Sequence, residues 1–381
     1  MPSNITKFGS LKGSDDHKET NKGRFGLVTT ELHSVPPAPI GEHLYYIPGS
    51  YTWVAPAGAT TVSVVCVGGG GGGLQHDFFG LMFSTVSGGG ATLAYKNNFS
   101  VVPGQGYDLF VGAGGAGSVV PSGNFPSSSG NAGQDSWFNN TSTCKAGAGD
   151  APYTIFAAVA QSQSDAPVGD GGGRGGYSNG FNVGHPFDNG VTGGGGAGGY
   201  AGDGSGYTNT GPPGTYDGHP SAGSGAGAAG AAGAFIGNPV ANGGPGGGVG
   251  VYGLGTSGTS HGESGSYGMN AGVATPPGSH VNKAIYNPAS VSGWNNTAPP
   301  AGGSGAAPHN NADAVKPGLY GGGAGNTGLA SQIQVGPSTY RIYGPVGDGG
   351  NGAVRIIWGP GRAFPSSLCD EASSFGNVSE N

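Results

Sequence analysis

The residues able to do chemistry are few and poorly placed for it. Nine histidines are scattered along the chain, and none forms an HxH or HExxH pattern. The best candidate is His76–Asp77 in "GGGGGGLQHDFFG", an imidazole beside a carboxylate, as a catalytic or metal pair would require. Standing alone, it reads instead as a polar loop tip after a strand. Asp-Gly pairs in "GDGGG" and "AGDGSG" are the currency of calcium-binding β-helix repeats, but the regular nonapeptide period is missing. Cys66, Cys144 and Cys369 are widely spaced with no CxxC, the pattern of reduced packing or surface thiols. No GxSxG, no Walker loop and no GxGxxG opening a helix is present. The expectation is therefore a protein that is not an enzyme, with no catalytic, cofactor-binding or metal-binding residues.

Charge excludes further classes. The formal net charge is −7 with only 13 Lys and Arg, and no basic patch exists to neutralise phosphates. Arg174 sits alone in "GGGRGGY", so this is not an Arg-Gly-Gly RNA-binding tract. No apolar run reaches the length of a membrane span, and the polar N-terminus has no signal-peptide core, which fits synthesis in the cytosol.

The elements that would have to position any site are unusual. The chain has 88 Gly and 28 Pro in 381 residues but only 9% charged residues. That much Gly and Pro points to disorder or a special repeat geometry. The low charge argues against ordinary disorder. Residues 1–42 hold ten of the 33 charged residues and read as a separate polar arm, either a disordered tail or a segment that docks on a partner. Residues 43–164 read as a β base. "HLYYIPGSYTWVAP" and "TTVSVVCV" flank a "PAGA" turn and predict a hairpin. "ATLAYKNNFSVV" and "YDLFVGAG" follow around "PGQG", where Pro103-Gly104 suits a type II turn. "DSWFNN" and "TCKAG" predict two more short strands. Trp53, Tyr107, Phe110 and Trp137 are the core candidates.

Residues 165–335 are a glycine-rich insertion without a strict period, so collagen is excluded. Two readings are open. One is flexible linker. The other is packed polyglycine II, three residues per turn, whose helices bond to one another because no Cβ separates them. Tyr200, Tyr207, Tyr252, Tyr267 and Tyr320 would then plug the tract margins. Residues 336–364 hold "TYRIYGPV" and "GAVRIIWG", closing strands that return to the base, and residues 365–381 form a polar tail. The fold class is mainly β: a sandwich-like base closed by a C-terminal strand, with a glycine-rich insertion.

"YTWVAPAGATTVSVVCVGGGGGG", "VVPGQGYDLFVGAGGAG" and "GGNGAVRIIWG", in that order, resemble the glycine-rich domain of phage tail and virion proteins. "AVRIIWGPGRAFPS" is similar to virion structural proteins of marine cyanobacterial phages. The resemblance implies a homo-oligomeric virion appendage protein, with a trimer as one form. The arm would dock on other virion proteins, and no nucleic acid, membrane span or cofactor is expected. The alternative is a receptor-binding adhesin recognising a host glycan or outer-membrane protein. Its contact loops would be "FFGLMFSTV" and "GWNNT", with Phe78, Phe79, Phe83, Trp294 and Asn295 as contact residues.

Overall fold

The computed structural model describes residues 40–78, 81–120, 130–151, 163–177, 194–204, 206, 246–253, 320–324, 329–335, 338–343, 347–365 and 378–380. The chain divides into two units, Met1–Pro36 and Pro37–Asn381, and every described residue belongs to the second. The described residues contain strands and no helix.

Fifteen strands follow in order: β1 Gly41–Tyr45, β2 Gly49–Val54, β3 Thr61–Val67, β4 Leu74–Phe78, β5 Leu81–Val86, β6 Leu93–Ser100, β7 Gly106–Val111, β8 Ser118–Val120, β9 Ser136–Phe138, β10 Cys144–Ala146, β11 Gly171–Gly173, β12 Leu329–Val335, β13 Ser338–Tyr343, β14 Ala353–Trp358 and β15 Val378–Glu380. A six-stranded sheet has the order β11-β6-β3-β14-β1-β15, and a four-stranded sheet has the order β10-β9-β7-β2. Every pair in them is antiparallel except β1 with β15. The two sheets share one core, with Trp53, Tyr107, Leu109 and Phe138 of one facing Val64, Cys66, Val354 and Ile356 of the other.

The closing strand lands in the middle of the base. β14 lies between β1 and β3, with Arg355 opposite both Leu44 and Val65. Nearly every residue of β3 and β14 is buried. Their even-numbered residues face the second sheet. Val65, Val67, Ala353 and Ile357 face a second cluster that includes Ala197, Tyr200, Val249, Tyr252 and Tyr320 of the glycine-rich insertion. A strand covered on both faces needs apolar residues at every position, which accounts for the unbroken β-branched runs. Tyr200, Tyr252 and Tyr320 thus cover the sheet at the tract margins, and Tyr207 and Tyr267 lie outside the described residues.

Two expectations for the base change in the structure, and one holds. "PAGA" is a turn, with Ala59 N–H donating to the Pro56 carbonyl at 3.1 Å, but it carries the chain from β2 in one sheet to β3 in the other. The expected hairpin is an arch between sheets, because the aromatic β2 pairs with β7 across the core it shares with β3. Pro103-Gly104 is a type II turn, with Gly104 at φ +83 and Gln105 N–H bonded to the Val102 carbonyl, and it too crosses between sheets. In the four-stranded sheet Trp53 and Tyr107 are buried as expected. Leu109 and Phe138 take the inner positions, whereas Phe110 and Trp137 stack on each other, half-buried, on the outer face. A period of two decides this, since adjacent residues point to opposite faces.

Ser338–Tyr343 pairs with Leu329–Val335 in a two-stranded sheet of its own and does not join the base. Gly41 and Glu42 belong to β1, and Val378–Glu380 lies beside it.

Candidate functional site: a glycine lattice and the strands it carries

Gly68–Gly73 leaves β3 as six consecutive residues without side chains, and each of their amides is bonded. Gly68 and Gly71 donate to the carbonyls of Thr92 and Gly89. Gly69 and Gly72 donate to Gln134 and Asn131, and Gly70 and Gly73 to Gly350 and Gly347, at 2.8–3.1 Å. The partner rotates through three segments and returns every third residue, which is the signature of three residues per turn. Three other segments donate into the same tract: Gly149 to Gly69, Gly115 and Ser118 to Gly70 and Gly73, and Ala324 to Gly71. Gly68–Gly73 is therefore surrounded by six neighbours, all joined to it by backbone hydrogen bonds. Ser87–Thr92 repeats the pattern. Gly88 and Ala91 donate to Ala324 and Gly321, Gly89 and Thr92 to Asp150 and Gly147, and Gly90 to Gly176.

This packing requires glycine for a steric reason. A Cβ on Gly70 would fall on the Gly322 carbonyl, one on Gly69 on the Ala113 carbonyl, and one on Gly72 on the Ala116 carbonyl. The obstacle is backbone in every case, which cannot rotate away. The lattice is not confined to residues 165–335, where the composition places it. Its centre is Gly68–Gly73, and five of its segments lie before residue 152.

The rim is finished by side chains. Gly114 and Gly117 donate to Asn351 Oδ1 at 3.0 Å and Asp348 Oδ1 at 2.7 Å, two acceptors with the same three-residue spacing. Gly112 donates to Ser136 Oγ, Gly175 to Ser164 Oγ, Arg174 to Asp203 Oδ1 and Ala148 to Asp135 Oδ1. These groups satisfy amides that have no further tract to bond.

Tract direction sorts the connections into two ends. Gly68–Gly73 runs antiparallel to the segments it donates to, since their numbers fall as its own rise, and parallel to 115–118. Val67, Thr92, Gly147 and Gly352 therefore meet at the end beside the base. Gly73, Gly88, Ser118, Ala324 and Gly347 meet at the other end, about 19 Å away at about 3.1 Å per residue. That far end carries β4, β5 and β8 as a three-stranded sheet of order β5-β4-β8, and the β12–β13 hairpin, with β13 beside β5.

A buried charge cluster anchors the lattice to the base. Glu42 Oε2 accepts from Arg355 Nη2 at 2.6 Å and from Arg362 Nη2 at 2.9 Å, with all three side chains essentially sealed from solvent. Arg355 Nη1 donates to the Val251 carbonyl at 3.0 Å, and its guanidinium lies 4.1 Å from the centre of the Tyr252 ring. Arg362 Nη1 donates to the Gly41 carbonyl. One carboxylate thus joins β1, β14 and the turn after it, while Arg355 reaches the insertion. Burial alone would raise the Glu42 carboxyl. The guanidiniums of Arg355 and then Arg362 outweigh it and hold Glu42 below the ordinary carboxylate range. Burial pushes the neighbouring His43 down, opposed in part by the Glu42 charge. The cluster escaped the sequence reading because Glu42 counts with the polar arm. The available signal was Arg355, a charge in the middle of "AVRIIW".

His76–Asp77 is part of β4, at an irregularity in its pairing with β5, and not a loop tip. Phe78 ends β4 and Phe83 is in β5, so two of the five expected contact residues lie on far-end strands. Phe79, Trp294 and Asn295 lie outside the described residues. Among the described residues no three His, Cys, Asp or Glu side chains gather as a metal site, and no helix is long and apolar enough to cross a membrane. The geometry is a backbone-bonded lattice with the base at one end and paired strands at the other. A family model described as a glycine-rich domain matches residues 46–270. No curated protein matches the chain.

Proposed function

The chain belongs to the glycine-rich domain family, and from that premise we propose that it is a non-enzymatic structural protein of a tailed-phage virion, part of a tail, fibre or neck appendage. The observation that carries this reading is the two-ended lattice, with a β sandwich at one end and strand-bearing connections at the other. A body held by backbone bonds offers few side chains to proteases and keeps its two ends at a fixed separation. The polar N-terminal arm that precedes β1 docks on other virion proteins, and the protein assembles in the host cytoplasm as a homo-oligomer.

A second reading is favoured by one feature. β4, β5, β8, β12 and β13 all collect at the far end, as they would in an adhesin that presents Phe78 and Phe83 to a host glycan or outer-membrane protein. Purified particles test both readings. Mass spectrometry is expected to find the chain in the virion, and antibody labelling to place it on the tail, fibre or neck. Absence from purified particles overturns the proposal. Loss of host adsorption on replacing residues 78–83, with particle assembly intact, selects the adhesin. Loss of assembly instead selects the structural role.

A further inference from the structure

We propose that Cys66 and Cys144 are a latent disulfide that closes across the two sheets of the sandwich. Cys66 is on β3 in the six-stranded sheet, and Cys144 is on β10 in the four-stranded one. Both thiols are free and fully buried in the same core. Opposed sheets stand about 10 Å apart, too far for the usual disulfide. Here the base narrows where it meets the lattice, and β10 is adjacent to both β3 and β6. The Cys66 Sγ–H donates to the Cys144 carbonyl oxygen at 4.0 Å, and the Cys144 Sγ–H to the Ala94 carbonyl at 3.8 Å. Each sulfur therefore lies against the backbone of the facing sheet. Burial, reinforced by the neighbouring Cys144 thiol, pushes Cys66 far up. The folded thiols are consequently slow to react, and closure takes place during folding or a local opening.

The oxidant is a small-molecule disulfide such as oxidised glutathione. One cysteine, as thiolate, attacks its S–S bond and releases one reduced glutathione. The second thiolate attacks the mixed disulfide, forms the Cys66–Cys144 bond and releases the other. Two thiol protons and two electrons pass from the protein to the glutathione pair. The bond would tie residues 78 positions apart, constraining a long loop of the unfolded chain.

The full chain, carrying Cys369→Ser to remove the third thiol, is refolded from denaturant in a glutathione redox buffer. The proposal predicts an intact mass lower by two hydrogen atoms and a non-reduced peptide containing both Cys66 and Cys144. It also predicts a thermal midpoint several degrees above that of the reduced protein. Cys66→Ala in the same background is expected to keep its fold and show no mass change. Two free thiols after refolding, or a stable glutathione adduct on either cysteine, overturns the proposal. So does a pairing of Cys369 with either partner in the unsubstituted chain.

Discussion

The base and the lattice solve the same problem with opposite means. In the base, side chains exclude water, and Trp53, Phe138 and Ile356 bury apolar surface between two sheets. In the lattice the backbones themselves touch, and nearly all specificity resides in amides and carbonyls whose partners return every third residue. The base tolerates graded changes of side-chain volume. The lattice has no side chain to trim and no room to add one. Glycine, costly in backbone entropy, becomes structural once its missing Cβ allows six neighbours to approach.

The sharpest way to break that comparison is a side chain at the lattice centre. Gly70→Val would drive into the Gly322 backbone, and we expect a loss above about 5 kcal/mol, beyond ordinary overpacking. The check is circular dichroism, in which the variant should show no cooperative melt. Removing one partner of the anchor comes next. Glu42→Gln leaves the guanidiniums of Arg355 and Arg362 buried without their shared counter-charge and should cost about 3–5 kcal/mol by urea denaturation.

Acid should erode the same anchor. The Glu42 pKa is lower folded than unfolded, so its stabilisation is complete above about pH 4.3 and is lost as pH falls through the folded value. The His43 pKa is also lowered on folding. The folded state resists its protonation, and stability starts to fall below about pH 6.5. Thermal midpoints measured from pH 8 to 3 should show both stages, and His43→Gln should remove the upper one. Gly104→Ala, at a turn with φ +83 and open space around it, should cost only about 1–2 kcal/mol. That substitution separates a conformational glycine from a packed one. Asp348→Ala, which frees one rim amide at Gly117, should cost about 1 kcal/mol. A loss comparable with Gly70→Val would mean that the rim, and not the centre, holds the lattice.

Much of the base was legible in the residues. The β-branched runs marked β3 and β14, and the return of "GAVRIIW" to the first sheet follows from its having no apolar partner nearby. The Pro103-Gly104 turn was readable because only one residue type suits its φ. What turns connect was not readable, since a local signal at Pro56–Ala59 gives no information about which sheet receives each strand. The lattice was legible as composition and not as place. A glycine tract carries no side-chain pattern to name its neighbours, and Gly68–Gly73 bonds to residues 18 to 280 positions away. The three-residue spacing of Asp348 and Asn351 was the one local clue. The far-end strands were visible only in part, with Phe78–Val86 read as a contact loop where the structure has a hairpin.

Hydrogen exchange at the amides of Gly68–Gly73 tests the central claim most directly. Six bonded amides inside a closed array should exchange as slowly as those of β3 and β14, through opening that approaches global unfolding. Exchange at the rate of an unstructured glycine peptide would contradict the lattice and leave the tract a linker between strands.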